Sequence, residues 1–290
     1  MDFYLTALLQ GLGFSGIALG IYISMKIFNI PDITTDGSYT LGGMVTGVML
    51  TYAYPLYISI IVVLIAGGLA GAATGLIHTK LKVNALLAGI LVMTALYSIN
   101  LSIAGRSNLP LIGTASVFTF FSITSDVNLN SFWILAVIVT ILICLIGYLL
   151  KTDFGIAMRA TGNSETMIRA LGVNTDRMKI IGLALANALT ALSGFLITQL
   201  QGYADINMGI GIVIIGLGSV IIGETLIGWF KITSVWGSLL LVLAGALVFQ
   251  LVLAITLAIG VDANLLKLVT AVLVLFIVSL PRLNFSKRYD

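Results

Sequence analysis

The sequence predicts an all-α, polytopic membrane protein, and three observations carry that prediction. Hydrophobic residues make up 59% of the 290 residues, with a mean hydropathy of +1.15. Charged side chains make up only 9%, against about a quarter in soluble domains. The apolar residues also fall in long runs, such as 134–150, 239–259 and 268–280, where a transmembrane barrel would show short alternating segments. A helical span needs roughly 20 apolar residues. With the polar stretches near 104–130 and 151–179 set aside, residues 1–290 have room for about nine spans in a single membrane domain.

Taken in order, the apolar segments lie at about 4–28, 39–53, 56–78, 83–103, 131–150, 180–202, 211–229, 233–259 and 266–280. The first carries Asp2, no basic leader and no convincing cleavage site, so it reads as a retained span. Lysine and arginine in short loops set orientation. The densest cluster, Lys151, Arg159, Arg169, Arg177 and Lys179, makes the 151–179 loop cytoplasmic. Counting outward puts the N-terminus outside, Arg106 outside, Lys80, Lys82 and Lys231 inside, and the C-terminus with Arg282, Lys287 and Arg288 inside. Several glycines recur at spacing four, among them Gly16 and Gly20, Gly43 and Gly47, and Gly67, Gly71 and Gly75. Such faces bring helix backbones close together in lipid, either inside one chain or across a dimer seam.

The same composition excludes other classes. A net charge of +3 from 14 basic and 11 acidic residues leaves no surface for a phosphate backbone, so nucleic acid is not an expected partner. Cys144 is the one cysteine and His78 the one histidine. Neither an intrachain disulfide nor a usual zinc shell can be built from them, and both read as packing or interface residues. No catalytic residue, metal or cofactor is expected on this chain.

Two polar breaks are informative. Asn29-Ile-Pro-Asp-Ile-Thr-Thr-Asp-Gly-Ser38 precedes the second segment, and Gln201-Gly-Tyr-Ala-Asp-Ile-Asn-Met-Gly209 precedes the seventh. Aligning Asp36 with Asp205 gives two copies about 170 residues apart and oppositely directed, as in the inverted repeats of transporters. Irregular backbone at membrane depth is tolerated only inside protein or against a water-filled cavity. The breaks therefore read as pathway elements, with ordinary surface turns as the other reading. The candidate substrate path comprises Asp36, Ser38, Tyr39, Asn187, Tyr203, Asp205 and Asn207, with Asp36 nearer the cytoplasmic gate and Asp205 nearer the external one. Tyr39 and Tyr203 are stacking surfaces or interfacial belt residues. Asn187, Gln199 and Gln250 either line the path or bridge helices. Glu224 snorkels or meets Lys231.

The 151–179 loop has its own design. Asn163 and Ser164 can cap a helix, Glu165 suits its first turn, and Gly172 stops it after Leu171. Met167, Ile168 and Leu171, expected to be exposed beside Arg169, would be costly in water, which suggests a docking surface or a helix lying on lipid.

Arg159-Ala-Thr-Gly-Asn-Ser-Glu-Thr-Met-Ile-Arg-Ala-Leu-Gly-Val-Asn174, followed by Lys179 and Ala188-Leu-Thr-Ala-Leu-Ser-Gly194, resembles the coupling-loop signature of the membrane permeases of ATP-binding-cassette importers, in the branched-chain amino acid and ribose branch. Asp32 to Gly43 and Val220-Ile-Ile-Gly-Glu-Thr-Leu-Ile-Gly228 extend the resemblance over nearly the whole chain. The sequence departs from that pattern at Glu224, where a small residue is usual, and at Trp229-Phe-Lys231, which replaces a Gly-rich turn. Length and the Pro31-Asp32 to Gly42-Gly43 segment are most similar to a sub-branch for aromatic amino acids, with nucleosides or sugars as the alternative cargo.

The resemblance implies a bacterial plasma-membrane importer in which two copies of this chain form the pore. Two cytoplasmic ATPase subunits carry ATP and Mg, and an extracytoplasmic lipoprotein binds substrate. It also implies ATPase coupling through Arg159, Asn163, Glu165, Ile168, Arg169, Leu171 and Gly172. The chain has no phosphate loop of its own. Two rivals remain at this level. A secondary transporter shares inverted repeats and broken helices. An intramembrane serine protease would use Gly13-Phe-Ser-Gly16 with His78, two sites expected too far apart for proton transfer.

Overall fold

The computed structural model describes residues 2–121, 124, 126–262 and 265–285. Lys287 and Arg288, expected on the inside, lie outside the described residues. Helices dominate the structure. The first span, Phe3–Ile27, is built from α1 (Asp2–Gly13), α2 (Ser15–Ile21) and a π-helical turn, Tyr22–Ile27. It is followed by α3 (Thr34–Thr51), α4 (Leu56–Lys80) and α5 (Ala85–Ala104). The strand β1 (Asn108–Pro110) and the short α6 (Val117–Phe120) lead into α7 (Val127–Lys151), then α8 (Asp153–Asn163), α9 (Glu165–Ala170) and α10 (Thr175–Gln201). After β2 (Tyr203–Asp205) come α11 (Ile212–Phe230), α12 (Val235–Ala258) and α13 (Leu266–Phe285). β1 and β2 pair antiparallel, Asn108 opposite Asp205. The ribbon marks one end of the bundle; α8 and α9 mark the other.

α10 is the spine. Gly16 and Gly20 of α2 lie against the carbonyls of Leu189 and Ala186, Gly42 of α3 against that of Ala191, and Gly71 of α4 against that of Leu183. A Cβ at any of these positions would meet backbone that cannot move aside. The spacing-four glycines of α2 and α4 thus serve packing inside the chain, where small residues replace the missing hydrophobic drive between helices in lipid. α12 crosses α1 at Gly11 and Leu247, and α13 lies on α11 at Gly218 and Val274.

Among the described residues, seven helices are long and apolar enough to cross a membrane, against an expected count of about nine. The difference lies in α3 and α13. α13 is 20 residues long, Leu266–Phe285, and only its stretch Leu266–Ile277 lies among the residues described in full. α3 opens with Thr34-Thr-Asp-Gly-Ser-Tyr-Thr40, so hydropathy places its start too late. That polar turn is tolerated because α3 is buried almost throughout by protein.

α3 and α11 are the broken elements. Thr34 meets Thr74 of α4 at 2.6 Å, and the adjacent Asp32 meets Asn187, which lies roughly 18 Å along α10 at 1.5 Å per residue. α3 therefore starts inside the bundle, about 9 Å from the Lys80 end of α4, and it runs to the ribbon, where Gly47 packs on Leu109 and Ala204. The chain returns inward from β2 so that α11 starts beside Asp36. α11 then passes Ile17 and Ile21 at Gly216 and reaches Lys26 at Glu224, toward the α8–α9 end. The two helices meet start to start inside the bundle and diverge, an inverted pair.

Candidate functional site

At the junction of the two helices, Asp36 in the first turn of α3 accepts the backbone N–H of Gly211 at 3.1 Å and that of Val213 at 2.8 Å. The first N–H groups of any helix lack intrahelical partners and carry the positive end of its dipole. A carboxylate from the opposed helix satisfies both needs. Gly211 reaches α11 in a left-handed conformation (φ +88), open to glycine at no steric cost. Gly209 packs directly on the carbonyl of Asp36 and the hydroxyl of Thr40.

α3 is closed in turn by Asp32, which accepts from Thr34 N–H at 2.9 Å and from Asn187 Nδ2 at 2.6 Å. Asn187 also accepts from the Ser38 hydroxyl at 2.7 Å and donates to Leu183 O. Asp32, Ser38 and Asn187 are all buried, so each polar atom needs these partners. Tyr39 is buried too, its ring 6.1 Å from that of Phe14. The structure thus gathers Asp36, Ser38, Tyr39 and Asn187 around the α3–α10–α11 junction. Asp32 is the junction residue that sequence reasoning does not select. Its signal is an aspartate two residues before Thr34, the spacing of a local side-chain cap.

Tyr203, Asp205 and Asn207 lie elsewhere, at the ribbon end. Asp205 accepts from Asn207 N–H at 2.8 Å and from Asn108 Nδ2 at 3.3 Å, and Tyr203 is exposed on β2. The aspartate that meets α11 is Asp36 itself, so the two breaks converge on one carboxylate where two equivalent ones are expected. Gln199 accepts from Val117 N–H at 2.8 Å and anchors α6. Glu224 pairs with Lys26 at 3.1 Å in place of Lys231, which ends α11 at φ +51. Ser15 lies on α2 beside α10, where its neighbour Ile17 donates its N–H to the Ser193 hydroxyl at 3.1 Å. His78 is at the α8–α9 end, its Nδ1 2.9 Å from Val83 O. Ser15 and His78 form no catalytic pair.

At that end α9 forms over Glu165–Ala170 with Ser164 at its N-cap position but no capping side-chain hydrogen bond, and the chain turns at Gly172 (φ +86). α8 has no counterpart in the sequence expectations, although Thr152, whose hydroxyl accepts Gly155 N–H, is an ordinary helix start. Met167 and Leu171 are 55% and 71% exposed, but Ile168 is only 6% exposed and turns into the core, which corrects its expected exposure. Glu165 is networked: it accepts from Lys179, from Arg169 at 3.0 Å and from Thr175 at 3.1 Å. The Lys179 hydrogen bond holds its carboxyl below the usual glutamate value, with Thr175 and Arg169 assisting and partial burial opposing. Arg169 also reaches Asp176 at 3.1 Å. Asn163 closes α8 and Arg159 lies on it. Gly162 packs on Ile27 O, and its own carbonyl accepts from Asn29 Nδ2 at 3.1 Å. The α8–α9 element is thereby fastened to the segment that leads into α3.

A multi-pass helical protein in which two oppositely directed helices start against each other inside the bundle has the architecture of a transport permease. The family described as branched-chain amino acid transport system, permease component, matches residues 3–278. The chain is 36% identical over 288 residues to the tyrosine transport system permease protein of Clostridioides difficile, across 99% of this chain and 94% of the relative. It is 34% identical over 297 residues to an uncharacterized protein of Rickettsia prowazekii, across the whole of both. It is 27% identical over 218 residues to the ribose import permease protein RbsC of Haemophilus influenzae, across 72% of this chain and 64% of that relative. No solved structure matches. The chain belongs to this permease-component family, and its function is that of the membrane permease of an ATP-binding-cassette importer.

Proposed function

We propose that this permease imports an aromatic amino acid, tyrosine or tryptophan, as one of two identical membrane subunits. Two separate ATPase subunits supply ATP hydrolysis with their Mg, and an extracytoplasmic lipoprotein delivers the cargo. The full-length similarity to a tyrosine transport system permease protein supports the cargo. Charge supports the orientation: Lys80, Lys82, Lys151, Arg159, Arg169, Arg177, Lys179 and Lys231 belong to the α8–α9 end or the turns beside it, whereas Arg106 follows α5 toward the ribbon. By the positive-inside rule the α8–α9 end is cytoplasmic and the ribbon external. The N-terminus is then outside, in a bacterial plasma membrane.

The observation that carries the mechanism is the bond from Asn29 to Gly162 O. Movement imposed on exposed Leu171 and Met167 by a docked ATPase passes through α8 and α9 to residues 27–33. From there it reaches Asp32, Asn187 and the Asp36 cap of α11. Each step is a contact between rigid elements with discrete packings, which is how a small displacement becomes a switch of state. The test is uptake into vesicles holding the permease with the ATPase and lipoprotein encoded beside it, against a panel of amino acids, nucleosides and sugars. Tyrosine or tryptophan should be taken up and compete with each other. Uptake confined to a sugar or a nucleoside would refute the cargo.

A further inference from the structure

Among the described residues, the ion pairs Lys80–Asp176, Arg169–Glu165, Arg169–Asp176 and Lys179–Glu165 all join parts of the α8–α10 end. Lys26–Glu224 is different. It joins two membrane-spanning elements, the π-helical end of the first span and α11, with Glu224 roughly 9 Å inside the end of its helix. The two side chains nevertheless remain 55% and 33% exposed. Ionisable groups within a span face water or protein in preference to lipid. Tyr22 lies four residues before Lys26 on the same π-helical turn. α11 itself begins at the Asp36 junction, so a route following this helix out of the bundle meets the pair on its way.

We propose that Lys26 and Glu224 form a cargo-contact subsite at the α8–α9 mouth of the pathway, one that takes a zwitterionic α-amino acid. The Lys26 ammonium pairs with the cargo carboxylate and the Glu224 carboxylate with its ammonium. One ion pair opens as two form, net charge is unchanged, and neither protein charge is left alone. Such a contact is weak in an open, wet site, which suits a point of exit.

The subsite rests on the amino-acid reading above, and the test separates the two. Gly228 lies one turn beyond Glu224 on the same face, with open space where a side chain would stand, so Gly228→Cys reports on the mouth. Cys144, which is exposed, is replaced by serine in the same chain. The complete importer in vesicles is treated with a charged thiol reagent from the α8–α9 side. Labelling should proceed, and tyrosine should slow it about fivefold, the scale of an exposed ion pair. Tyramine, without a carboxylate, and 4-hydroxyphenylpropionate, without an ammonium, should not slow it.

Lys26→Gln and Glu224→Gln should abolish the protection, and the exchanged pair Lys26→Glu with Glu224→Lys should restore it. A thiol at position 228 that fails to react would place the pair against lipid, and protection surviving in both Gln variants would remove it from the cargo's contacts. If the vesicles transport tyrosine without protection, the subsite alone falls. If they transport a different α-amino acid, the aromatic reading falls and that amino acid becomes the probe. If they transport no amino acid, both fall.

Discussion

The carboxylate of Asp36 caps the start of α11 through the N–H groups of Gly211 and Val213, so the first turn of one helix holds the first turn of the other. Helix starts inside the bundle are costly to leave unpaired, because no bulk water is present to satisfy them. Replacing Asp36 with alanine should destabilise the detergent-solubilised protein by about 1–2 kcal/mol, the usual cost of a lost cap. It should also reduce uptake sharply while ATPase binding persists. Asp205→Asn should change either quantity far less, since Asp205 organises only its own turn and the ribbon. Thermal melts and uptake at matched expression check both.

Asn187 links α10 to Asp32 and Ser38. Asn187→Leu keeps the branched heavy-atom shape but strips a donor from a buried carboxylate, at a cost of roughly 2–3 kcal/mol. Ser38→Ala removes one neutral bond and should cost about 1 kcal/mol. The asparagine variant should therefore show the larger fall in melting temperature.

Gly71→Val should also destabilise the protein, because its side chain would overlap the Leu183 carbonyl of the spine. Overpacking of this kind costs about 1–3 kcal/mol or more. Loss of a monodisperse peak in size-exclusion chromatography is the expected outcome, while Gly228→Ala, in open space, should elute normally.

At the α8–α9 end, Leu171→Asp should weaken co-purification of the ATPase without lowering the melting temperature, because Leu171 is largely exposed. Glu165→Lys should do both, since it opposes Lys179 across a network that fixes α9 on α10.

Protonation tests that network independently. The folded-state carboxyl of Glu165 titrates below its ordinary value of 4.5. Its contribution is therefore complete above the ordinary value and is lost as the pH falls through the depressed folded value. Hydrogen exchange of the α9 amides reads this out. Wild-type protection should decline as the pH falls below 4.5, whereas Glu165→Gln should start lower and show no such step.

Most of the helical architecture is legible in the sequence because each apolar run is long. The ends of α4, α5, α11 and α12 fall within a few residues of where hydropathy puts them. Hydropathy truncates α3 because its first turn is polar and is buried by neighbours that a local window does not see. The β1–β2 ribbon is invisible for a related reason: three-residue strands almost a hundred residues apart carry no local pattern. The two polar breaks stand out in the sequence as unusual, yet only the fold reveals that Asp36 of α3 caps α11. The Lys26–Glu224 pairing is equally inaccessible, since Lys231 is the nearer cation in sequence.

The most direct measurement is the energy source of uptake. Vesicles containing the permease with the proposed ATPase and lipoprotein are given labelled tyrosine or tryptophan on the ribbon side and ATP on the α8–α9 side, with ion gradients collapsed by ionophores. ATP-dependent accumulation, lost in Leu171→Asp while the isolated ATPase remains active, is the predicted result. Accumulation that ignores ATP and follows an ion gradient would contradict the account and make the opposed helices those of a secondary transporter.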